Sequence, residues 1–224
     1  METVKKYLYA FAMDIINKTV KEFTADYDSL LLKVTDLPSY SELIKNTHAV
    51  NNKMPQIKKV KEEIEYMYKM LKQVNNVFTI QEESNYQKVL KLHENIESKL
   101  CFVESNIKEL KDTYMIKFEE LTDSCVEKTN EITGLINSPE LLLIATPINE
   151  ALHKLNGIKD RLEKLRNKCI RLDYYQEIMK FPDLEKLDAF DTILAKYEEK
   201  YNLWSNFDRL TKNRENWFEI NIKS

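Results

Sequence analysis

Ile148, Ala151, Leu155, Ile158, Leu162, Leu165, Cys169 and Leu172 follow one another at steps of three and four without a miss. That spacing keeps them on one stripe of an α-helix, whereas a strand would scatter them over both faces. Comparable stripes run through most of the chain. Glycine supports the same reading, because it occurs only twice in 224 residues, at Gly134 and Gly157, and proline five times. Sheet proteins with many tight turns need more of both, so the elements here are long and few. Two glycines also exclude the Gly-rich phosphate loops, which need several in one short window. At 43% hydrophobic residues the chain can form a core, which a disordered tail cannot.

Five helical segments are predicted. The first runs from about Thr3 to Val34, with Leu8, Phe11 and Ile15 leading into Val20, Phe23, Tyr27, Leu30 and Val34. Leu37-Pro38 ends it, since proline cannot continue a helix and disfavours helical geometry in the residue before it. The second opens at Ser39, where Ser39 and Glu42 fit a capping box. Its stripe is Ile57, Val60, Ile64, Met67, Leu71, Val74 and Phe78, and Pro55 predicts a kink or short break near Lys53 and Met54. The third starts between Thr79 and Ser84, with Thr79 and Glu82 as a second capping box, and reaches about Thr133. Its stripe is Ile96, Leu100, Val103, Ile107, Leu110 and Tyr114, then Phe118, Leu121 and Cys125. The step of four from Tyr114 to Phe118 is a stutter. A helix of ~50 residues would be ~75 Å long, too long to hide within a globule.

Gly134 to Thr146 is expected to be a loop, with Thr146 as cap and Pro147 at the first position of the fourth helix. Phe181-Pro182 breaks the chain again. The fifth helix starts near Asp183, carries Leu187, Phe190, Leu194, Tyr197, Tyr201 and Trp204, and frays past Leu210. Trp217 and Phe218 follow in an unassigned tail. Such stripes must pack on one another, and short connections favour antiparallel neighbours. The expected fold is an all-α, elongated antiparallel helical bundle with long coiled-coil-like helices, spectrin-like in shape. The expected division is residues 1–136, 137–182 and 183–224.

Little in the sequence points to chemistry. Lys plus Arg is 34 and Asp plus Glu is 37, interspersed along the chain, which is not the basic concentration of a nucleic-acid binder. Lys58, Lys59 and Lys61 run into Glu62, Glu63 and Glu65, which reads as a solvated face with opposite charges one turn apart. Cys101, Cys125 and Cys169 have no metal or redox spacing and suit a reduced, cytoplasmic chain. No stretch is long enough to span a membrane. His48, His93 and His153 form no zinc motif, and His93, between Val89 and Ile96, reads as a seam histidine partnered by a side chain or water. Glu150 and His153 give one Glu-x-x-His pair where a di-metal bundle needs two. No catalytic, cofactor-binding or metal residue is assigned, and no cofactor is implied. Tyr27, Tyr114, Tyr197 and Tyr201 fall on stripes and read as packing residues.

Two stretches resemble the heavy chains of dynein motors where the helical tail runs into the linker. Leu43 to Ile64 (LIKNTHAVNNKMPQIKKVKEEI) is similar to a family helix carrying a leucine, small and polar residues, a Met and then an Ile-to-Glu sequence, here Ile57 to Glu63. Leu184 to Trp204 (LEKLDAFDTILAKYEEKYNLW) is similar to the linker start, with Tyr197, Tyr201 and Leu203-Trp204, and Trp217 beyond. Between them, Pro147 to Leu152 resembles the family's proline-led leucine-rich helix, and Val4 to Val34 the helix before. Asn137-Ser138-Pro139 and Leu172 to Pro182 depart from its loops.

The resemblance implies a structural and mechanical segment that joins tail to linker and transmits movement along microtubules, without catalysis of its own. Its partners would be the remainder of the heavy chain and associated subunits, with microtubules touched only indirectly and neither nucleic acid nor membrane bound. Its place would be the cytoplasmic cytoskeleton or a cilium. Gly134 to Thr146 and Leu172 to Pro182 would be its hinges, and Trp204, Phe207 or Trp217 would be exposed for linker docking. The alternative is a stand-alone coiled-coil tether or scaffold that self-associates through its seams. A lipid-binding bundle would need a basic amphipathic face, which interspersed charges argue against.

Overall fold

A computed structural model describes residues 2–73, 78–181 and 189–222, and side chains over 6–73, 78–181 and 190–217. The described chain is all-α. Its helices are α1 (Glu2–Ser29), α2 (Leu37–Gln73), α3 (Ile80–Ile136), the single turn α4 (Pro139–Leu142), α5 (Ile148–Met179) and α6 (Ala189–Ile222). They gather into two compact units, Met1–Tyr114 and Met115–Ser224. Val74 of the second stripe, and Pro182, Asp183, Leu184 and Leu187 of the expected break and fifth helix, lie outside the described residues.

In the first unit α1, α2 and the first part of α3 form an antiparallel three-helix bundle. Lys53 of α2 meets Asp26 of α1 at 2.7 Å, and Tyr68 stacks on Tyr86 of α3. The core is one apolar cluster that includes Ile16, Phe23, Leu43, Val50, Ile64, Val89 and Ile96. Each such side chain contributes about 1.5–3 kcal/mol when buried.

The first helix stops at Ser29, short of the expected Val34. Its last turn tightens, with Leu30 N donating to Tyr27 O and Leu31 N to Asp28 O. Asn46 Nδ2 donates to the terminal carbonyl of Ser29 at 3.2 Å, which satisfies a group the helix end would leave orphaned. Pro38 does not end α1; it lies in the first turn of α2, where a missing N–H costs little. The cap is Asp36, not Ser39. Ser39 N donates to Asp36 Oδ1 at 2.9 Å, and Asp36 N to Ser39 Oγ at 3.0 Å. Glu42 pairs with Lys45 instead.

No break occurs at Pro55: α2 continues through it for 37 residues. Val50 and Ile57 are buried on either side of it, and this packing outweighs the ~3 kcal/mol an interior proline costs. The Thr79–Glu82 capping box forms as expected, with Thr79 N donating to Glu82 Oε2 at 2.8 Å and Glu82 N to Thr79 Oγ1 at 3.3 Å. Tyr9 of α1 donates its hydroxyl to the same carboxylate.

Beyond Tyr114 the stripe of α3 shifts. The buried series is Tyr114, Phe118, Thr122, Cys125, Thr129, Ile132 and Ile136, while Leu121 is 47% exposed. Two consecutive steps of four carry the seam past Leu121 onto Thr122. The hydroxyl of Thr122 donates to Phe118 O at 2.9 Å and that of Thr129 to Cys125 O at 2.8 Å. Local back-bonding thus makes threonine tolerable inside.

In the second unit the end of α3, α5 and α6 form another antiparallel three-helix arrangement. Phe118 of α3 meets Phe181, just past α5, and α5 packs along α6. The α5 stripe buries Ala151 through Leu172 as read, with Ile148 half-buried. The expected loop over Gly134 to Thr146 is helical in part: Gly134 lies in the last turn of α3 and Pro139 opens the single turn α4, while residues 137–138 and 143–146 connect the helices. Pro147 occupies the cap position of α5, and no side chain of that cap forms a hydrogen bond, so Thr146 does not cap it. The expected hinge from Leu172 is helical as far as Met179, where Lys180 in left-handed geometry (φ 51°) closes the helix. The C-terminal tail does not fray past Leu210, because α6 runs to Ile222.

Candidate functional site

The residues weighed for chemistry do not converge. Glu63 pairs with Lys59 at 3.8 Å and Glu65 with Lys61 at 3.2 Å, which is the solvated face read from the sequence. His48 and His153 are exposed, as is Glu150. His93 is buried on the seam, but its Nε2 has no side-chain partner among the described residues. No group of three or more His, Cys, Asp or Glu among the described residues could hold a metal ion. No described helix is long and apolar enough to cross a membrane.

Cys101 is exposed, while Cys125 and Cys169 are buried and free. Burial pushes the Cys169 thiol up to about 11, helped by the neighbouring Cys125 and Asp173. A thiol held protonated in this way is a poor nucleophile. The stripe tyrosines pack: Tyr114 stacks on Tyr40 with ring centroids 4.3 Å apart, and Tyr197 is buried. Tyr27 is half-buried and Tyr201 lies at the margin of exposure.

What the second unit does present is an apolar surface. Ile144 is 83% exposed and Leu210 64%, and together with Leu203 and Phe207 they line an open groove of about 270 Å³. Leu142 and Leu143 add to the exposed area. Trp204 forms the floor. Of the three residues offered as alternatives for docking it is the buried one, as its place on the fifth stripe implies, and its indole Nε1 donates to Leu141 O at 3.3 Å. That bond holds the Leu141 end of the aliphatic run against α6. Phe207 and Trp217 are exposed, as read. Contiguous exposed apolar surface of this kind is characteristic of interaction sites. The aliphatic run was visible in the sequence as a loop segment, but nothing local placed it against α6. No protein-family model matches the chain, and no curated protein matches it.

Proposed function

We propose that the chain is a structural and mechanical helical module, of the kind that joins tail to linker in a dynein heavy chain, and that it performs no catalysis of its own. The observation that carries this reading is the length of its uninterrupted helices: α2, α3, α5 and α6 have 37, 57, 32 and 34 residues. Long helices whose buried stripes pack on neighbours resist local bending, as α5 does with its unbroken seam from Ala151 to Leu172, so they suit the transmission of displacement. The groove at Ile144, Leu203 and Phe207 would receive the adjoining segment. The test is whether the tagged chain, isolated from cells, co-pellets with microtubules as part of a larger motor complex and is released by ATP. A chain that never travels with such a complex sinks the dynein reading.

The exposed apolar surface also favours a second reading, a tether or scaffold that self-associates. Analytical ultracentrifugation at micromolar concentration separates the two. A monomer supports an internally satisfied bundle, and an obligate dimer supports the tether.

A further inference from the structure

Folding sorts the charges of α5 by face. Arg161, Lys164, Lys168 and Arg171 recur at steps of three, four and three, each one position before a buried seam residue. They line one wall of an open groove of about 470 Å³, and Lys128 and Glu131 of α3 stand on the other. The carboxylates of the same stretch of α5, Asp160 and Glu163, lie instead near Tyr197 of α6. Charges interspersed in the sequence thus become a basic face, with Glu131 the only carboxylate among its lining residues. Among the described residues none of these cations takes part in an ion pair. The α2 face is different, since Lys59 and Lys61 pair with glutamates one turn away.

We propose that the α3–α5 groove binds a small molecule or headgroup bearing several phosphate groups. The basic stripe of α5 runs ten steps along the helix from Arg161 to Arg171, ~15 Å along the axis, which is more than one phosphate covers. Arg161 at one end suits a bidentate phosphate contact; Arg171 at the other donates Nε to Asn167 O at 3.1 Å and offers its two terminal nitrogens, and the lysines between them act as point charges. The groove volume falls within the range of small-molecule sites. No aromatic residue lines it, so it lacks the stacking platform of a single-strand nucleic-acid site. Lys128 and Lys168 stand so close that Lys168 is held below the usual lysine range, first by its contact with Lys128 and then by the charge of Lys128 and by burial. A dianion between them would relieve that repulsion.

The proposal is independent of the mechanical reading. It is tested on the full chain by calorimetric titration with inositol hexakisphosphate. Saturable binding is expected, weakened about tenfold or more in Lys128→Gln/Lys168→Gln, because charge-assisted hydrogen bonds are lost. Lys58→Gln/Lys59→Gln removes the same charge from α2 and should change affinity less than about twofold. The groove variant removes a repulsion, so circular dichroism should show it folded with an undiminished melting temperature. Absence of binding, or equal loss in both variants, overturns the proposal.

Vesicles of phosphatidylcholine with phosphatidylinositol bisphosphate distinguish the sources. Co-sedimentation that inositol hexakisphosphate reverses assigns the site to a lipid headgroup. Calorimetric binding without co-sedimentation assigns it to a soluble polyphosphate.

Discussion

The hydroxyl of Tyr40 donates to the backbone carbonyl of Ile107 at 2.8 Å, tying the first turn of α2 to the middle of α3. The same ring stacks on Tyr114, 11° from parallel, and Tyr40 is 1% exposed. Tyr40→Phe keeps the stacking and removes the bond. It should cost about 0.5–1.5 kcal/mol in urea unfolding. Tyr40→Ala also empties the site and should cost about 3–5 kcal/mol, the range for deleting a large aromatic core residue. A Phe variant as unstable as the Ala variant would place the stability in the hydroxyl and not in the ring.

Burial, then the neighbouring Tyr114 and Asp112, pushes the Tyr40 phenol from 10.0 up to about 12. The folded chain therefore keeps a proton that the unfolded chain releases above pH 10. The contribution is intact below pH 10 and is lost as pH rises toward 12. Unfolding free energy should decline as pH rises from 10 toward about 12, and decline less in Tyr40→Phe. A decline of equal size in both would assign the alkaline loss to other groups, Tyr9 among them.

Pro55 sits within an unbroken α2 and denies Asn51 its i+4 hydrogen bond. Pro55→Ala should restore that bond and raise stability by about 1–3 kcal/mol, with a higher melting temperature. If the proline marked a true break, alanine there would gain nothing.

Gly157 lies in the interior of α5 and Gly134 in the last turn of α3, and a Cβ at either position would meet nothing within 4 Å. Gly157→Ala should stabilise the chain by about 1 kcal/mol, and Gly134→Ala by less, in thermal or urea melts. Gly157 also lies one turn before Arg161, on the basic stripe. A loss of inositol hexakisphosphate binding in Gly157→Ala, with the fold intact, would show that the ligand approaches the backbone there.

The register of α3 after its stutter is tested by adjacent residues. Leu121 is 47% exposed and Thr122 fully buried. Leu121→Gln should change stability by no more than about 0.5 kcal/mol. Thr122→Gln should cost about 1–3 kcal/mol through overpacking and an unpaired amide. The opposite ranking would restore the seam read from leucine spacing.

Apolar spacing alone determined that this chain is helical and which residues of α5 and early α3 face inward, because a helical stripe is a local property of three- and four-residue steps. The Thr79–Glu82 box was legible for the same reason, since both partners lie within one turn. The tertiary structure decided what local steps leave open. The end of α1 depends on Asn46 reaching Ser29, the passage through Pro55 on packing to either side, and Thr122 on the helix facing it. The candidate surfaces belong to that second group. Trp204 meets Leu141, and Lys128 meets Lys168, only once distant helices pack, because proximity across a bundle follows from how seams dock and not from spacing along one chain.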